Sequence, residues 1–219
     1  MRVLILAPQP FYQNRGTPIA VRLLAEVLGQ NGIKVDLLVY HEGEDVKIPN
    51  VTLHRIPAVP GLSAVGPGFS LKKIGCDVLL WLKSLQLQRK VKFDFVHAVE
   101  EAVFIAQVNK IFFRVPYIYD MDSCLSDQLL SRLPWLRFMG GVFEWMESRA
   151  VRGSAGVVAV CRALEEKVRR IEPGKELLRL EDISLLPECP DDGETTESLR
   201  ESLGIQGKLV LYVGNLEKY

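Results

Sequence analysis

Several things are scarce in this sequence, and each scarcity removes a class of protein. Charge of one sign is not in excess: Lys plus Arg and Asp plus Glu number 27 each in 219 residues. No global field therefore draws the chain to nucleic acid or to a bulk acidic partner. Cysteine is sparse. Cys76, Cys124, Cys161 and Cys189 form no C-x-x-C pair and stand beside no histidine at zinc spacing, so reduced thiols are expected and a metal site is not. No apolar run approaches the roughly 18 residues that cross a bilayer. The opening MRVLILAP is too short for a signal-peptide core, which leaves a soluble or peripheral protein, cytoplasmic by default. A G-x-G-x-x-G loop is missing too, which disfavours a dinucleotide enzyme.

What remains is a globular composition, 48% apolar and 25% charged, long enough to bury a sizeable core. Residues 2–8 form a short continuous apolar run, the pattern of a buried parallel strand. Thr17 and Pro18 read as N-cap and first-turn proline of a helix. Ile19, Leu23, Leu24, Val27 and Leu28 fall on one helical face, and Gly32 closes the helix. Residues 34–40 supply the next strand. Strands at 51–56, 93–98, 117–120 and 156–160 then alternate with helices at 71–89, 101–113, 135–152 and 162–171. Short extended pieces follow at 177–180 and 184–186. This alternation predicts an α/β fold, a doubly wound parallel Rossmann-like sheet with helices on both faces. Residues 187–196 are acidic and turn-rich. A short helix at 195–203 and a new apolar strand at 208–213 come after them. The expected division is one large domain over 1–205 and the beginning of a second, cut short, over 206–219.

Chemistry is expected where open α/β sheets hold ligands, at the carboxyl ends of the strands. The first loop and helix start, APQPFYQNRGTPIAV from Ala7 to Val21, put Gly16 at a helix N-terminus. A backbone without Cβ, free N–H groups and a positive dipole end meet there. Together with FDFVHAVEEAVFIA, VPYIYDMDSCLSDQ, FEWMESRAVRGSAGVVAVCRALEEKV and the terminal KLVLYVGNLEKY, this loop resembles the retaining GT-B glycosyltransferases of the large family 4-like group. The likeness spans essentially the whole chain. It implies transfer of a hexose from a nucleotide-sugar to a sugar, lipid or polysaccharide-precursor acceptor, with retention, needing no cofactor and no metal. It also implies that this chain is the acceptor-side half and the first strand of the donor-binding half, inactive alone.

Carried over position by position, the resemblance places Arg15, Gly16 and Thr17 against donor diphosphate and acceptor. A pair of histidines separated by one residue usually ends the fourth strand; here the positions hold His97 and Val99. The family's acceptor-lining histidine after the fifth strand is replaced by Asp122, with Asp120 two residues earlier on the same side of the strand. A carboxylate can accept a sugar hydroxyl's proton or hydrogen bond as an imidazole can. Asp122 is thus the candidate catalytic residue, and Arg15, Gly16, Thr17, His97 and Asp120 are candidate substrate-binding residues. Glu100 and Glu101 most simply start the next helix through its dipole. Glu144 and Glu147 read as a solvated face.

The segment 71–92 combines Leu71, Ile74, Val78, Trp81, Leu82 and Leu85 with Lys72, Lys73, Lys83, Arg89, Lys90 and Lys92. It is a candidate interfacial helix at a membrane, although most amphipathic helices pack on their own sheet. The rival function is a non-catalytic carbohydrate- or partner-binding remnant. An epimerase on the same fold ranks third.

Overall fold

In the computed structural model, residues 1–14, 16–66, 70–124, 138–183, 199–208 and 210 are described. The chain divides into two compact units, Met1–Asp182 and Ile183–Tyr219. The first holds a seven-stranded sheet whose strands are β1 (Arg2–Leu6), β2 (Lys34–Val39), β3 (Val51–Arg55), β4 (Phe95–Val99), β5 (Tyr117–Met121), β6 (Gly156–Ala159) and β7 (Leu177–Arg179). Their order is β3-β2-β1-β4-β5-β6-β7 and every pairing is parallel. The order reverses between β1 and β4, the switch point where a crevice opens at the strands' carboxyl ends. The helices of this unit are α1 (Gly16–Gln30), α2 (Leu71–Lys90), α3 (Ala102–Phe113), α4 (Gly140–Gly153) and α5 (Arg162–Ile171). In the second unit the described part includes a short helix, α6 (Leu199–Ser202). The expected boundary at 205–206 falls inside that second unit, and most of the expected strand at 208–213 lies outside the described residues.

Two cores flank the sheet, one per face. Val3 and Ile5 of β1, with Val35, Leu37 and Val39 of β2, pack beneath Val21 and Ala25 of α1. Leu4, Leu6 and Leu38 face the other way and join Tyr117, Tyr119 and Met121 of β5 beneath α2, α3, α4 and α5. Alternation along each strand produces this division, and burial on both faces explains why β1 reads as an unbroken apolar run.

Several details depart from the expectation. The α1 face against the sheet is made of Pro18, Val21, Ala25 and Gly29, while Val27 is exposed. Small residues win there because the helix lies close: a Cβ on Gly29 would come 2.2 Å from the Pro49 carbonyl oxygen. Helix α1 also begins at Gly16, one residue ahead of the expected cap. Strand β4 starts at Phe95, not at residue 93. Asp94 instead accepts the Arg2 backbone N–H at 2.6 Å, and Phe93 lies under the Arg2 guanidinium, 5.8 Å from its centre.

On α2 the buried stripe is Cys76, Leu80, Ser84 and Leu87. Of the apolar residues read from periodicity, Leu71, Ile74, Val78 and Leu82 face outward and are exposed, whereas Trp81 and Leu85 are half-buried and Trp81 donates its indole N–H to Asn109 at 3.0 Å. Glu147 is not on a solvated face. It is 1% exposed and ion-paired with Lys167 of α5, whereas Glu144 of the same helix is exposed.

Candidate functional site

The loop after β1 is held by the loop after β2. Phe11 and Tyr12 donate their backbone N–H groups to the carbonyls of Glu42 and Glu44, each at 3.0 Å, and Glu44 returns one to Tyr12 at 3.1 Å. Arg55 of β3 fastens this second loop from below, its guanidinium donating to the carbonyls of Glu42 and Glu44 at 2.9 Å each. Gly43 is required at the contact: its φ is +115°, and a Cβ would sit 2.2 Å from the Phe11 carbonyl oxygen. The chain therefore enters α1 from a fixed scaffold.

Gly16 itself is exposed in the first turn of α1, its φ is outside the left-handed range, and a Cβ there would meet nothing within 4 Å. The fold does not demand a glycine at this position. Thr17, next to it, has its side chain near the Asp122 carboxyl, where it favours the charged form. Arg15 lies outside the described residues.

Strands β4 and β5 complete the cluster. His97 is at the centre of β4, not at its end, and is 5% exposed. Its Nε2 lies 2.8 Å from Asp120 Oδ2 of β5. The residues are 23 apart in sequence and meet because the parallel register sets Val99 beside Asp120 and His97 beside Ile118. Asp120 and Asp122 both point toward the α1 face, since Tyr119 and Met121 fill the opposite core.

Asp122 is only partly exposed. Burial, then the charges of Asp120, Glu100 and Asp182, push its carboxyl up to about 8, and Thr17 offsets only part of that rise. Asp122 thus holds its proton to higher pH than an ordinary aspartate, and a protonated carboxyl can donate a hydrogen bond, as a carboxylate cannot.

Sequence reasoning set Glu100 aside as a helix starter, and the structure gives it a different position. Its backbone is left-handed, φ +49°, directly after β4, and its N–H donates to the Asp120 carbonyl at 2.9 Å. A non-glycine residue there costs on the order of 1 kcal/mol, a kind of strain that clusters at functional sites. Burial and the neighbouring Glu101 raise its carboxyl to about 7. Glu101 does occupy the N-cap of α3, but its side chain makes no capping hydrogen bond and pairs with Lys73 of α2 instead.

Beside that pair, the Tyr40 hydroxyl donates to Asp77 of α2, whose carboxyl is raised to about 7 by burial and by Glu101. This second network was not legible. Nothing in the sequence marks Asp77, the lone acid of a basic helix, as the partner of a tyrosine 37 residues earlier.

The surface hollow of about 620 Å³ lined by Lys47, Thr52, Leu53 and Arg55 lies elsewhere, on the edge strand β3. Strands β2 and β1 separate it from β4, and Arg55 in its wall is already bound to backbone carbonyls. The converging polar groups at the switch point are the better candidate.

Residues 15–179 match the glycosyl transferase 4-like domain family. The chain belongs to that family. No curated protein matches this glycosyl transferase 4-like chain. Among solved structures it is similar to sucrose-phosphate synthase from Thermosynechococcus elongatus, with TM-score 0.57 and 14% identity over 84% of this chain and 48% of that one. It is also similar to Glycyrrhiza uralensis UGT73P12 complexed with glycyrrhetinic acid 3-O-monoglucuronide, with TM-score 0.51 and 13% identity over 80% and 47% of the two chains. For Arabidopsis thaliana UGT89C1 complexed with UDP, the TM-score is 0.50 with 16% identity over 85% and 53%. These likenesses show a shared Rossmann-like fold. The glycosyl transferase 4-like chain spans about half the length of these three proteins.

Proposed function

We propose that this chain is the acceptor-side half of a glycosyltransferase that moves a hexose from a nucleotide-sugar to a glycan or lipid-linked acceptor, with retention. The observation that carries the reading is the meeting of Thr17, His97, Glu100, Asp120 and Asp122 at the β1–β4 switch point. Sugar hydroxyls both donate and accept hydrogen bonds. A protonated Asp122 beside the Asp120–His97 pair offers a donor and an acceptor within one cluster. The same crowd of carboxyls is a poor host for a donor diphosphate, because like charges repel in a partly buried site. Lys73, the neighbouring cation, is already paired with Glu101. The acidic edge thus suits a neutral acceptor, and the exposed start of α1, with its dipole, suits the approach of an anionic donor. The family match supports transferase chemistry.

In a protein that joins this chain to a donor-binding half, Asp122→Asn is expected to lower turnover about 100-fold, the usual scale for a positioned acid–base group. The donor KM should change little. Full turnover by the variant would remove Asp122 from the reaction. A non-catalytic carbohydrate-binding role is the second reading, favoured by Val99 at the position where the family usually has its second histidine.

A further inference from the structure

The layer of helices α2, α3 and α4 turns apolar side chains away from the sheet as well as toward it. On α2 the outward stripe of Leu71, Ile74, Val78 and Leu82 steps every three or four residues and is between 42% and 82% exposed. On α3, Ile111 and Phe112 are 72% and 66% exposed, and on α4 Trp145 is 59% exposed. The guanidinium of Arg149 sits 5.6 Å above the Trp145 ring. Helix α2 packs beside α3, and α3 beside α4, so these side chains belong to one outer face. Scattered exposed hydrophobics need no explanation, but a run across three adjacent helices does.

The charge around the run is mostly positive, although Arg152 pairs with Glu172 just beyond α5. Lys72, Arg89, Lys90, Lys110, Arg149 and Arg152 are exposed on these helices, and Glu144 is their only exposed carboxylate. Two copies of such a face, brought together about a two-fold axis, would set cation against cation. An anionic surface has no such conflict.

We propose that the outer face of α2, α3 and α4 docks on an anionic lipid bilayer. The apolar side chains enter the interface, and the lysines and arginines meet the headgroups. Trp145 and its stacked arginine have the amphipathic character favoured at that depth. No helix among the described residues is long and apolar enough to cross a membrane, so the contact is peripheral. The proposal stands apart from the sugar-transfer reading and is tested without any sugar.

The test is sedimentation of the full chain with vesicles of pure phosphatidylcholine and of equal phosphatidylcholine and phosphatidylglycerol. Binding to the mixed vesicles, weak binding to the neutral ones and a decline as salt is raised are expected. The double variant Ile111→Asp with Phe112→Asp should lose at least about tenfold in binding, since it removes inserted apolar area. Lys110→Glu should lose about fivefold on the mixed vesicles and little on the neutral ones. All three positions are exposed, so the variants should keep the wild-type circular dichroism spectrum. Three results would each overturn the proposal: no binding to either vesicle, equal binding by the Ile111→Asp, Phe112→Asp variant, or a wild-type oligomer that the same substitutions convert to monomer.

Discussion

Asp36 and Asp122 belong to the same sheet, one within β2 and one just beyond the end of β5, and their surroundings are opposite. Asp36 has its own partners. Arg2 reaches its two carboxylate oxygens at 2.6 and 3.0 Å, and His54 Nε2 lies at 2.7 Å. Burial alone would raise the Asp36 carboxyl, but the hydrogen bonds from His54 and Arg2 outweigh it and hold the group below its ordinary range. Asp122 has burial and three other carboxyls, with one threonine hydroxyl to offset them. The first arrangement ties β1, β2 and β3 together. The second holds like charges at the mouth of the sheet, at a cost to the fold. Unfavourable electrostatics kept at a strand's carboxyl end is what a site for chemistry produces, whereas an edge built only for stability would neutralise it.

The largest expected effect breaks the favourable side of this contrast. Asp36→Asn leaves the shape and removes the charge that Arg2 pairs with, which should cost about 3 kcal/mol near neutral pH. The folded-state pKa is depressed, so the pair's contribution is present above the carboxyl's unfolded value and is lost as pH falls through the folded one. Wild type and variant should therefore differ most in urea melts near pH 7 and converge in strong acid. A difference that stayed constant down to strong acid would mean that shape, not charge, is what Asp36 contributes.

Asp122→Asn should act in the opposite direction. Its folded pKa, about 8, lies above the unfolded carboxylate value of about 3.9. The native state then holds a proton that the unfolded state has lost, and its stability falls as pH rises across that window. Asparagine removes the penalty. The two proteins should melt alike near pH 4, and the variant should be more stable by at least about 2 kcal/mol near pH 8.5, or roughly 4–8 °C in Tm. Loss of turnover together with gain of stability is the signature of a residue kept for function. A variant less stable at high pH would place Asp122 with Asp36 as a structural group.

How much of this was legible in the sequence depended on distance along the chain. The β1–α1–β2 opening was readable because unbroken apolar runs and helical spacing are local signals. The joining of Asp122 to Thr17 and of His97 to Asp120 needs the pairing of strands far apart in sequence; the residue types were visible but their partners were not. Periodicity showed that α2 has an apolar stripe yet not that it has two, and four of the six residues it named face away from the sheet. Glu147 read as solvated because its partner Lys167 stands 20 residues away on another helix. The strain at Glu100 is a backbone property that no residue type announces.

The smallest expected effect on the fold separates the glycines in the same way as the aspartates. Gly43 has a left-handed φ and a carbonyl oxygen where its Cβ would be, so the fold requires it. Gly16 has neither. Alanine has room there, and in the first turn of a helix it should change stability by no more than about 0.5–1 kcal/mol, in the favourable direction if at all. A glycine the fold can spare, beside Thr17 and the raised carboxyl of Asp122, is explained by whatever approaches it from outside. In a protein carrying the donor half, Gly16→Ala should leave Tm within a few degrees of wild type while raising the donor KM, because the added methyl occupies space at the α1 N-terminus that a diphosphate would need. A fall of more than about 5 °C in Tm, well beyond what 1 kcal/mol produces in a chain of this size, would show a conformational need that the geometry does not display. Unchanged Tm with unchanged donor KM would leave Gly16 without a role and remove the first loop from the site.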